Sequence, residues 1–432
     1  AFAELLARES HDLVIVARDL PRLNARAEEW RVRYNIEVEV IQADLSRDED
    51  IRRLELRLQN LSRPVDVLIN NAGLALGLNS LAGSFTAGIR GAAIDKWGHK
   101  WPIRILVPGY AIGIIFENMA STSTQILIWA FLLGISAPPI NISIRPLWKQ
   151  IFPEELVRGA YGVDTALMNS VGVIGPAIAT TLSLSSHPGS ALSACALSML
   201  IGGFALERII TSRSWAHEKK NPNEAKFIKV PAIQLLAIEG VFIGLGWGFF
   251  DVGVPAFATL QGVPHRTAWL FAIMSVSNVA GGLIAGLLKK RKSSYRTMRT
   301  IYGAWALFSL PLYFTSPNWS LALVGATLGL AGGALQVIYF EVLELVRPAG
   351  TATASLGWLW TIEGSMAAAG SAMGGWVSKN ISPQFCLGIT SAMLCIGYLI
   401  MTFGRKRLAA ADISPTEIAR TEAIGDTEDL TE

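Results

Sequence analysis

Five ionisable residues lie inside or beside long apolar runs, where a charge is costly unless it has a partner or a function. Asp251, Glu239 and Glu363 are acids within such runs, and Arg145 and Asp164 flank the connection between two of them. A carboxyl that takes up and releases a proton inside a membrane would couple solute movement to a proton gradient. Four of the five also have a structural interpretation: a wetted helix end for Asp251, an interhelical hydrogen bond for Glu363, and an ion pair between Arg145 and Asp164.

The sequence gives little support for metal binding, disulfide formation, catalysis or nucleic-acid binding. The three cysteines, Cys195, Cys386 and Cys395, lie in apolar stretches without metal-ligand spacing or a disulfide pattern. We therefore expect no metal site and no catalytic residue. The net charge of +3 is too small to suggest nucleic acid as a partner.

Charge is distributed very unevenly along the 432 residues. Only 16% of the residues are charged, against about 25% in soluble domains. Residues 1–66 hold 25 of the charged residues and residues 405–432 hold 11, which leaves 35 for everything between. The sequence therefore predicts a charged head, a long apolar body and a polar tail.

The body reads as an all-α polytopic membrane protein, since each apolar run approaches the roughly 20 residues that a spanning helix needs. Eleven segments qualify: 75–94, 103–120, 124–145, 160–182, 188–208, 231–252, 267–288, 298–315, 319–345, 353–377 and 383–404. We divide the chain into a head (1–73), a first helix block (74–208), a basic loop (209–230), a second helix block (231–404) and a disordered tail (405–432).

Positive charge alternates between the loops of this body. One set of loops carries nearly all the lysines and arginines, and the other set carries only Arg266 and Lys379. By the positive-inside rule the basic loops are cytoplasmic, together with loop 209–230 and the C-terminus. We expect a multi-pass protein of the plasma or inner membrane, in the lipid bilayer and monomeric.

The head alternates strands and helices. Strands are predicted at 12–18, 36–43 and 65–69, with helices at 21–34 and from Ser46 to about Leu61. Strand–helix–strand–helix–strand in about 70 residues is half of a doubly wound nucleotide-binding fold. The head is therefore predicted to be a small, incomplete, Rossmann-like α/β segment.

Three short stretches of the head, VARD at 16–19, ADLS at 43–46 and VDVLINNAG at 65–73, resemble the short-chain dehydrogenase/reductase family. The resemblance implies that Asp44 contacts the adenine and that Arg18 favours NADP. The 432 residues hold neither that family's glycine-rich phosphate loop nor its Tyr-x-x-x-Lys pair. We therefore expect no oxidoreductase chemistry, no bound cofactor and only a vestigial nucleotide site, at Arg18, Asp44, Asn70, Asn71, Ala72 and Gly73.

The loop after the first apolar segment carries the sharpest motif of the body. Gly91-x-x-x-Asp95-Lys96-x-Gly98-His99-Lys100 resembles the loop between the second and third helices of the major facilitator superfamily. In physical terms, Gly91 permits close helix contact, Asp95 caps or pairs at the helix end, Gly98 turns the chain, and the cations hold the inner face. An ordinary basic loop is the structural alternative.

A second motif, Gly172-Val-Ile-Gly175-Pro176, resembles the fifth-helix motif of that superfamily's export-type antiporters, in which a Gly-Pro pair bends the helix. The family pattern continues with small residues, often a glycine pair. Here Ala177, Ile178, Ala179 and Thr180 follow, which weakens the antiporter interpretation. A kinked packing helix is the alternative. The resemblance covers about residues 76–407, with two helix blocks around the basic loop 209–230 and the later loop 289–299 matching loop 95–104.

Against a twelve-helix pattern, the motif loop should follow helix two, yet here it follows the first apolar segment. The resemblance therefore implies that helix one is missing and that the head stands in its place. We expect a secondary transporter that moves a small solute by alternating access, with proton-coupled efflux as the favoured mode, impaired by this loss. The alternatives are a membrane-tethered NADP-dependent reductase and a non-functional fusion.

Overall fold

The computed structural model contains an α/β head and a helical bundle. It describes residues 7–8, 10–44, 48–58, 71–120, 123–183, 189–209, 227–263, 265–288 and 293–412. The predicted third strand at 65–69, most of loop 209–230 and residues 413–432 lie outside the described residues.

In the head, strand β1 (Leu13–Ala17) pairs in parallel with β2 (Val38–Gln42), and helix α1 (Leu20–Tyr34) connects them. The Asp19 side chain accepts a hydrogen bond from the Arg22 backbone N–H and so caps α1. Asn35 ends the helix in the left-handed conformation. Ala27 and Trp30 of α1 pack with buried residues of the strands, as the predicted strand–helix–strand pattern requires.

A second helix, α2 (Asp48–Leu58), follows β2 in the head. It is tied to the strand by an ion pair between Arg57 Nη2 and Glu39 Oε2 at 2.6 Å. Ion pairing with Glu39 raises the pKa of Arg57 above its ordinary value, so this pair is charged at any physiological pH.

The bundle that follows has two halves. The first half contains α3 (Asn71–Trp97), α4 (Lys100–Asn118), α5 (Ser123–Ser136), α6 (Ile140–Ile151), α7 (Glu154–Ser183) and α8 (Ser190–Arg208). The second half contains α9 (Pro231–Leu260), α10 (Arg266–Leu287), α11 (Ser294–Ser309), α12 (Trp319–Val346), α13 (Ala352–Asn380) and α14 (Pro383–Phe403). Each of the eleven predicted segments thus falls on a helix, except that segment 124–145 is divided between α5 and α6.

Packing partners repeat between the halves, as expected for a transporter built from repeats. In the first half α3 packs on α5, α4 packs on α8, and α7 touches α8. In the second half α10 packs on α12, α11 packs on α14, and α13 touches α14. By these contacts, the equivalent helices of the two halves are α3 and α10, α4 and α11, α5 with α6 and α12, α7 and α13, and α8 and α14. Helix α9 has no counterpart among the described helices of the first half.

The most extensive contacts between the halves involve two helix pairs. Helix α3 packs against α13, and α7 packs against α10. The main core lies in the second half, where α9 is enclosed by α13 and α14 and its residues Leu236, Phe250 and Phe257 are buried.

Six of the described helical segments are long and apolar enough to cross a membrane by length and composition: Thr124–Ile151, Ser190–Arg208, Pro231–Leu260, Arg266–Leu287, Trp319–Val346 and Pro383–Phe403. The first of these joins α5 and α6, between which the chain leaves helical geometry at residues 137–139. Pro138 and Pro139 explain the break, because proline removes a backbone donor and restricts the residue before it. The sequence predicted one span over residues 124–145, where the structure has two helices separated by this break.

One predicted boundary was wrong. The tail was expected to be disordered from 405, but Arg405–Ala411 forms a 3-10 helix with Leu408 and Ala411 buried against the bundle. Asp412 then accepts hydrogen bonds from Ser293 Oγ at 2.9 Å and Arg296 Nε at 3.0 Å. The sequence missed this because two apolar side chains in a short basic stretch carry no visible periodicity.

Candidate functional site

Asp95 joins the two halves of the bundle. Its carboxylate accepts hydrogen bonds from the backbone N–H groups of Thr353, at 2.9 Å, and Ala354, at 2.7 Å. These are orphan donors of the first turn of α13, and the positive end of a helix dipole favours a carboxylate there. Asp95 therefore caps a helix of the opposite half. We call the end of the bundle that carries this contact the Asp95 end.

Two glycines make this contact geometrically feasible. A Cβ on Gly91 would lie 2.7 Å from the Thr353 carbonyl oxygen, so any side chain there would force α3 away from α13. Gly98 has a φ of +73° and turns the chain between α3 and α4, a conformation that L side chains rarely adopt. The backbone geometry therefore explains why both of these positions in the loop motif are glycine.

His99 and the lysines complete this loop. His99 is buried, with Nε2 at 3.1 Å from the Ser143 carbonyl oxygen, which fixes the loop to α6. Burial lowers the pKa of His99 below its ordinary 6.5, so the ring is neutral at pH 7. Lys96 and Lys100 lie over the exposed rings of Trp97 and Trp101, at 5.1 and 5.9 Å from the ring centroids.

A second contact between the halves is ionic. Arg158 of α7 donates to Glu341 Oε2 of α12 from Nε at 2.9 Å and from Nη2 at 2.6 Å. Lys149 of α6 pairs with Glu344 of α12 at 3.0 Å. Like the Asp95 cap, both pairs lie at the Asp95 end.

Arg145 and Asp164 form a buried ion pair, with Nε at 2.8 Å from Oδ2. The guanidinium carbon also lies 3.9 Å from the ring centroid of Phe340 and 5.0 Å from that of Trp360. Because both aromatic rings belong to the second half, this pair of the first half supports the contact between the halves through cation–π interactions.

Glu239 is buried in the core of the second half and has a specific partner. The Tyr302 hydroxyl of α11 donates to Glu239 Oε1 of α9 over 2.7 Å. A buried carboxyl with one tyrosine donor and no cation paired with it in the described residues is an unusual arrangement in a core. The sequence singled out Glu239 but not Tyr302, since nothing in the chain order indicates that α11 packs beside it.

The structure separates Asp251 from Glu239. Asp251 is exposed, twelve residues after Glu239 on the same helix, or about 18 Å along it at 1.5 Å per residue. Glu363 of α13 is half-buried, and its backbone carbonyl contacts α9 at Gly244. Glu363 therefore lies beside the part of α9 between Glu239 and Asp251, close enough to Glu239 for the two carboxyl groups to interact electrostatically.

The predicted fifth-helix motif lies in the last half of α7. Gly172 and Gly175 have open space where a Cβ would be placed. Helix α7 continues through Pro176 to Ser183, and the side chain of Pro176 is outside the described residues.

Arg90 is a charged residue that the sequence interpretation passed over. It lies inside α3, and its guanidinium donates to the carbonyl oxygens of Gly83 at 2.6 Å, of Gly134 at 3.4 Å and of Ala137. The last two carbonyls belong to the end of α5, at the helix break. A single arginine within a predicted span was the signal that could have found it.

The predicted nucleotide residues fall into two groups. Arg18 directly follows β1, and Asp44 lies two residues after the end of β2, at the same edge of the parallel pair. Gln42 Nε2 donates to the Arg18 carbonyl oxygen at 2.9 Å. Asn71, Ala72 and Gly73 form the first turn of α3, whereas the sequence placed them at the end of the head, after the predicted strand at 65–69. Asn70 lies outside the described residues.

Comparison with known families covers most of the chain. The model of the Major Facilitator Superfamily matches residues 61–371, and the model of the short chain dehydrogenase family matches residues 1–87. The chain belongs to the Major Facilitator Superfamily. It carries an N-terminal segment of dehydrogenase type, and the two matches overlap on residues 61–87.

Individual relatives agree with this assignment. An uncharacterised MFS-type transporter of Sinorhizobium fredii is 25% identical over 288 residues, which is 62% of this chain and 70% of the relative. The crystal structure of the human organic anion transporter MFSD10 (TETRAN) superposes with a TM-score of 0.63 at 14% identity, over 81% of this chain and 88% of that one. At that identity the likeness shows the fold alone.

The family and the apolar helices make this a multi-pass membrane transporter of a small molecule, embedded in a lipid bilayer. The transporter assignment favours a main function that is not enzymatic. The dehydrogenase match leaves a role for the head in catalysis as the second possibility.

Proposed function

We propose that the chain is a secondary active transporter that works by alternating access, in the plasma or inner membrane. The observation that carries this proposal is the clustering of contacts between the halves at the Asp95 end. The Asp95 cap, the Arg158–Glu341 pair and the Arg145 cation–π contacts all lie there. This arrangement fits a state closed at that end, which the basic loops assign to the cytoplasm.

We propose protons as the coupling ion, with Glu239 as the leading site and Asp251 and Glu363 as the others. Glu239 is supported by its burial and by the hydrogen bond from Tyr302, because such a carboxyl can hold one proton and lose it when its surroundings change. The exposure of Asp251 supports a role at the mouth of the pathway instead.

The charge of the substrate is open to a direct test. The three acids of the second half favour a small cation, whereas Arg90 in the first half favours an anion. The human neighbour is an organic anion transporter by its title. Ethidium, a cation, and fluorescein, an anion, are therefore matched probes of substrate charge.

The experiment uses the purified full chain in liposomes with an imposed pH gradient. Uptake of ethidium or of fluorescein is measured for the parent chain and for Glu239→Gln, Asp251→Asn and Glu363→Gln. Glu154→Gln, at an exposed position of α7, is the control. We expect one acid variant to keep exchange of the probe but lose its dependence on the gradient. Flux that keeps its full dependence on the gradient in all three variants would refute proton coupling through these acids.

The loss of helix one is proposed to impair this activity, since the corresponding helix of the second half is its most enclosed one. A parent chain that moves neither probe, although it is inserted in the membrane, supports the impaired or non-functional fusion. A parent chain with rapid flux contradicts the impairment.

A membrane-tethered, NADP-dependent reductase is the second candidate, supported by the dehydrogenase match over residues 1–87. Isothermal titration of the full chain with NADPH tests it. Heat of binding that disappears in Asp44→Ala favours this candidate, and no binding removes it.

A further inference from the structure

An open pocket of about 330 Å³ lies between the ends of two helices of the second half. It is lined by Arg266 and Trp269 of α10, by Trp319 of α12 and by Asn318, which precedes α12. Helix α12 extends about 40 Å from this pocket to Val346, close to the start of α13 that Asp95 caps. The pocket is therefore at the opposite end of the bundle from Asp95.

The polar side-chain groups that remain available in this pocket are hydrogen-bond donors. Arg266 Nη1 donates to the Pro317 carbonyl oxygen at 3.2 Å, whereas its Nε and Nη2 donate to no atom of the described residues. The side-chain oxygen of Asn318 already accepts from the backbone N–H and the hydroxyl of Ser320, both at 2.8 Å, which leaves its amide N–H groups. The indole N–H groups of the two tryptophans are donors as well. A ligand that matches this lining supplies acceptor oxygens.

The positive charge of the pocket has no carboxylate beside it. Arg266 is half-buried and forms no ion pair within the part of the chain that the structure describes. No aspartate or glutamate occurs between Asp251 and Glu341 in the sequence, and Glu341 lies at the Asp95 end. Because a guanidinium binds phosphate and carboxylate oxygens through several N–H groups at once, this site favours an anion.

The surface beside the pocket is apolar and exposed. Trp319 is 77% exposed, and Leu323, one turn farther along α12, is 69% exposed. The short 3-10 helix Leu310–Phe314 ends four residues before Asn318, and Phe314 is 84% exposed. Tryptophan is enriched at the level where spanning helices meet lipid headgroups. The occupant of the pocket therefore combines an anionic head with apolar chains.

We propose that this pocket binds the headgroup of an anionic phospholipid from the leaflet that borders it. Phosphate oxygens accept hydrogen bonds from Arg266 and from Asn318 Nδ2, and the two tryptophans contact the glycerol and the first part of the acyl chains. Basic pockets between spanning helices are a known form of headgroup site. Phosphatidylglycerol fits this lining, because a headgroup with an ammonium group would place that cation near Arg266 without a carboxylate partner.

The test measures lipid binding to the purified full chain in dodecyl maltoside by native mass spectrometry. Dioleoyl phosphatidylglycerol is titrated into the parent chain, Arg266→Gln and Lys379→Gln. Lys379 is the matched control, because it is an exposed cation in the last turn of α13, at the same end of the bundle. We expect Arg266→Gln to weaken the tightest binding step about tenfold and Lys379→Gln to leave it unchanged. Equal weakening in both variants overturns the proposal, since surface charge alone would then account for binding.

Two competing ligands identify the source of the phosphate. Dioleoyl phosphatidylcholine should bind the parent chain several-fold more weakly than phosphatidylglycerol, and equal affinity of the two lipids overturns the proposal. Glycerol 3-phosphate carries the phosphate without acyl chains and should not displace the lipid. Displacement at millimolar concentration would assign the pocket to a soluble anion and also overturns the proposal.

A second pair of variants keeps the proposal falsifiable where Arg266→Gln fails to fold. Trp319 is exposed, so Trp319→Ala should leave the fold intact and weaken phosphatidylglycerol binding several-fold. Trp376→Ala removes an exposed tryptophan of α13 outside the pocket and is its control. Equal affinities of these two variants for phosphatidylglycerol overturn the proposal.

Discussion

Arg158 and Glu341 face each other across the two halves, with both Nε and Nη2 of the arginine on one carboxylate oxygen. The other oxygen of Glu341 accepts a hydrogen bond from Ser294 Oγ at 2.8 Å. Ser294 begins α11, and its neighbour Ser293 donates to Asp412 of the tail. One carboxylate thus connects the first half, the second half and the folded start of the tail.

Charge reversal tests this connection. Arg158→Glu and Glu341→Arg should each open the Asp95 end, because each places two like charges at a contact with little exposure. The double variant restores opposite charges and should recover much of the closed state. Spin labels at Gln150 and Thr300, on α6 and α11, measure the separation of the halves. Additive effects of the two single changes would show that the residues do not interact.

Asp95→Asn tests the cap. The amide keeps an acceptor oxygen but loses the charge that favours the first turn of α13. We expect the closed state to lose about 0.5–2 kcal/mol, roughly a two- to thirtyfold shift of the equilibrium. The same spin-label pair measures the shift, with Glu154→Gln as the control. Substrate choice should not change, so an altered ratio of ethidium to fluorescein flux would contradict this role.

The contacts at the Asp95 end also show what the sequence could not predict. Hydrophobic runs predicted the positions of the long helices of the bundle, apart from the break at residues 137–139, because the apolar pattern of a span is visible within about 20 residues. The loop motif singled out Asp95, yet its partners lie 258 and 259 residues away. Likewise nothing in the sequence indicated that Glu341 meets Arg158, and Tyr302 carried no signal. Pairing between distant helices depends on how they pack, which one sequence does not encode locally.

Arg90→Ala tests the helix break. Removal of the guanidinium leaves the carbonyl groups of Gly134 and Ala137 without this donor at the end of α5, so the protein should be destabilised by about 1–3 kcal/mol. Arg90→Lys should be intermediate, since an ammonium cannot spread its donors over the same carbonyls. Thermal unfolding in detergent measures this, and Arg208→Ala, at an exposed helix end, is the control. Equal unfolding of both alanine variants would contradict the role.

Asp412→Asn tests the anchor of the tail. Burial raises the pKa of Asp412, but hydrogen bonds from Arg405, Ser293 and Arg296 outweigh it and hold this pKa below the ordinary 3.8. The anchor is therefore fully present above about pH 4 and is lost only as the pH falls through that lower value.

Trypsin cleavage after Arg405 and Arg407 should accordingly be slow and constant across pH 6–8 in the parent chain. In Asp412→Asn it should be several-fold faster, while Asp426→Asn in the acidic tail should leave the rate unchanged. Equal rates for the two variants would mean that Asp412 does not hold the 3-10 helix.

The glycine contacts between the halves have a mechanical consequence. Gly91 and Gly357 bring α3 and α13 together backbone to backbone, and Gly162 and Gly286 do the same for α7 and α10. Such a contact between helices has few interdigitating side chains, so the two halves can separate without a series of rotamer changes. A few polar contacts between the halves then provide most of the resistance to their separation. The strength of these polar contacts, rather than the contact area between the halves, determines how often the molecule changes its conformational state.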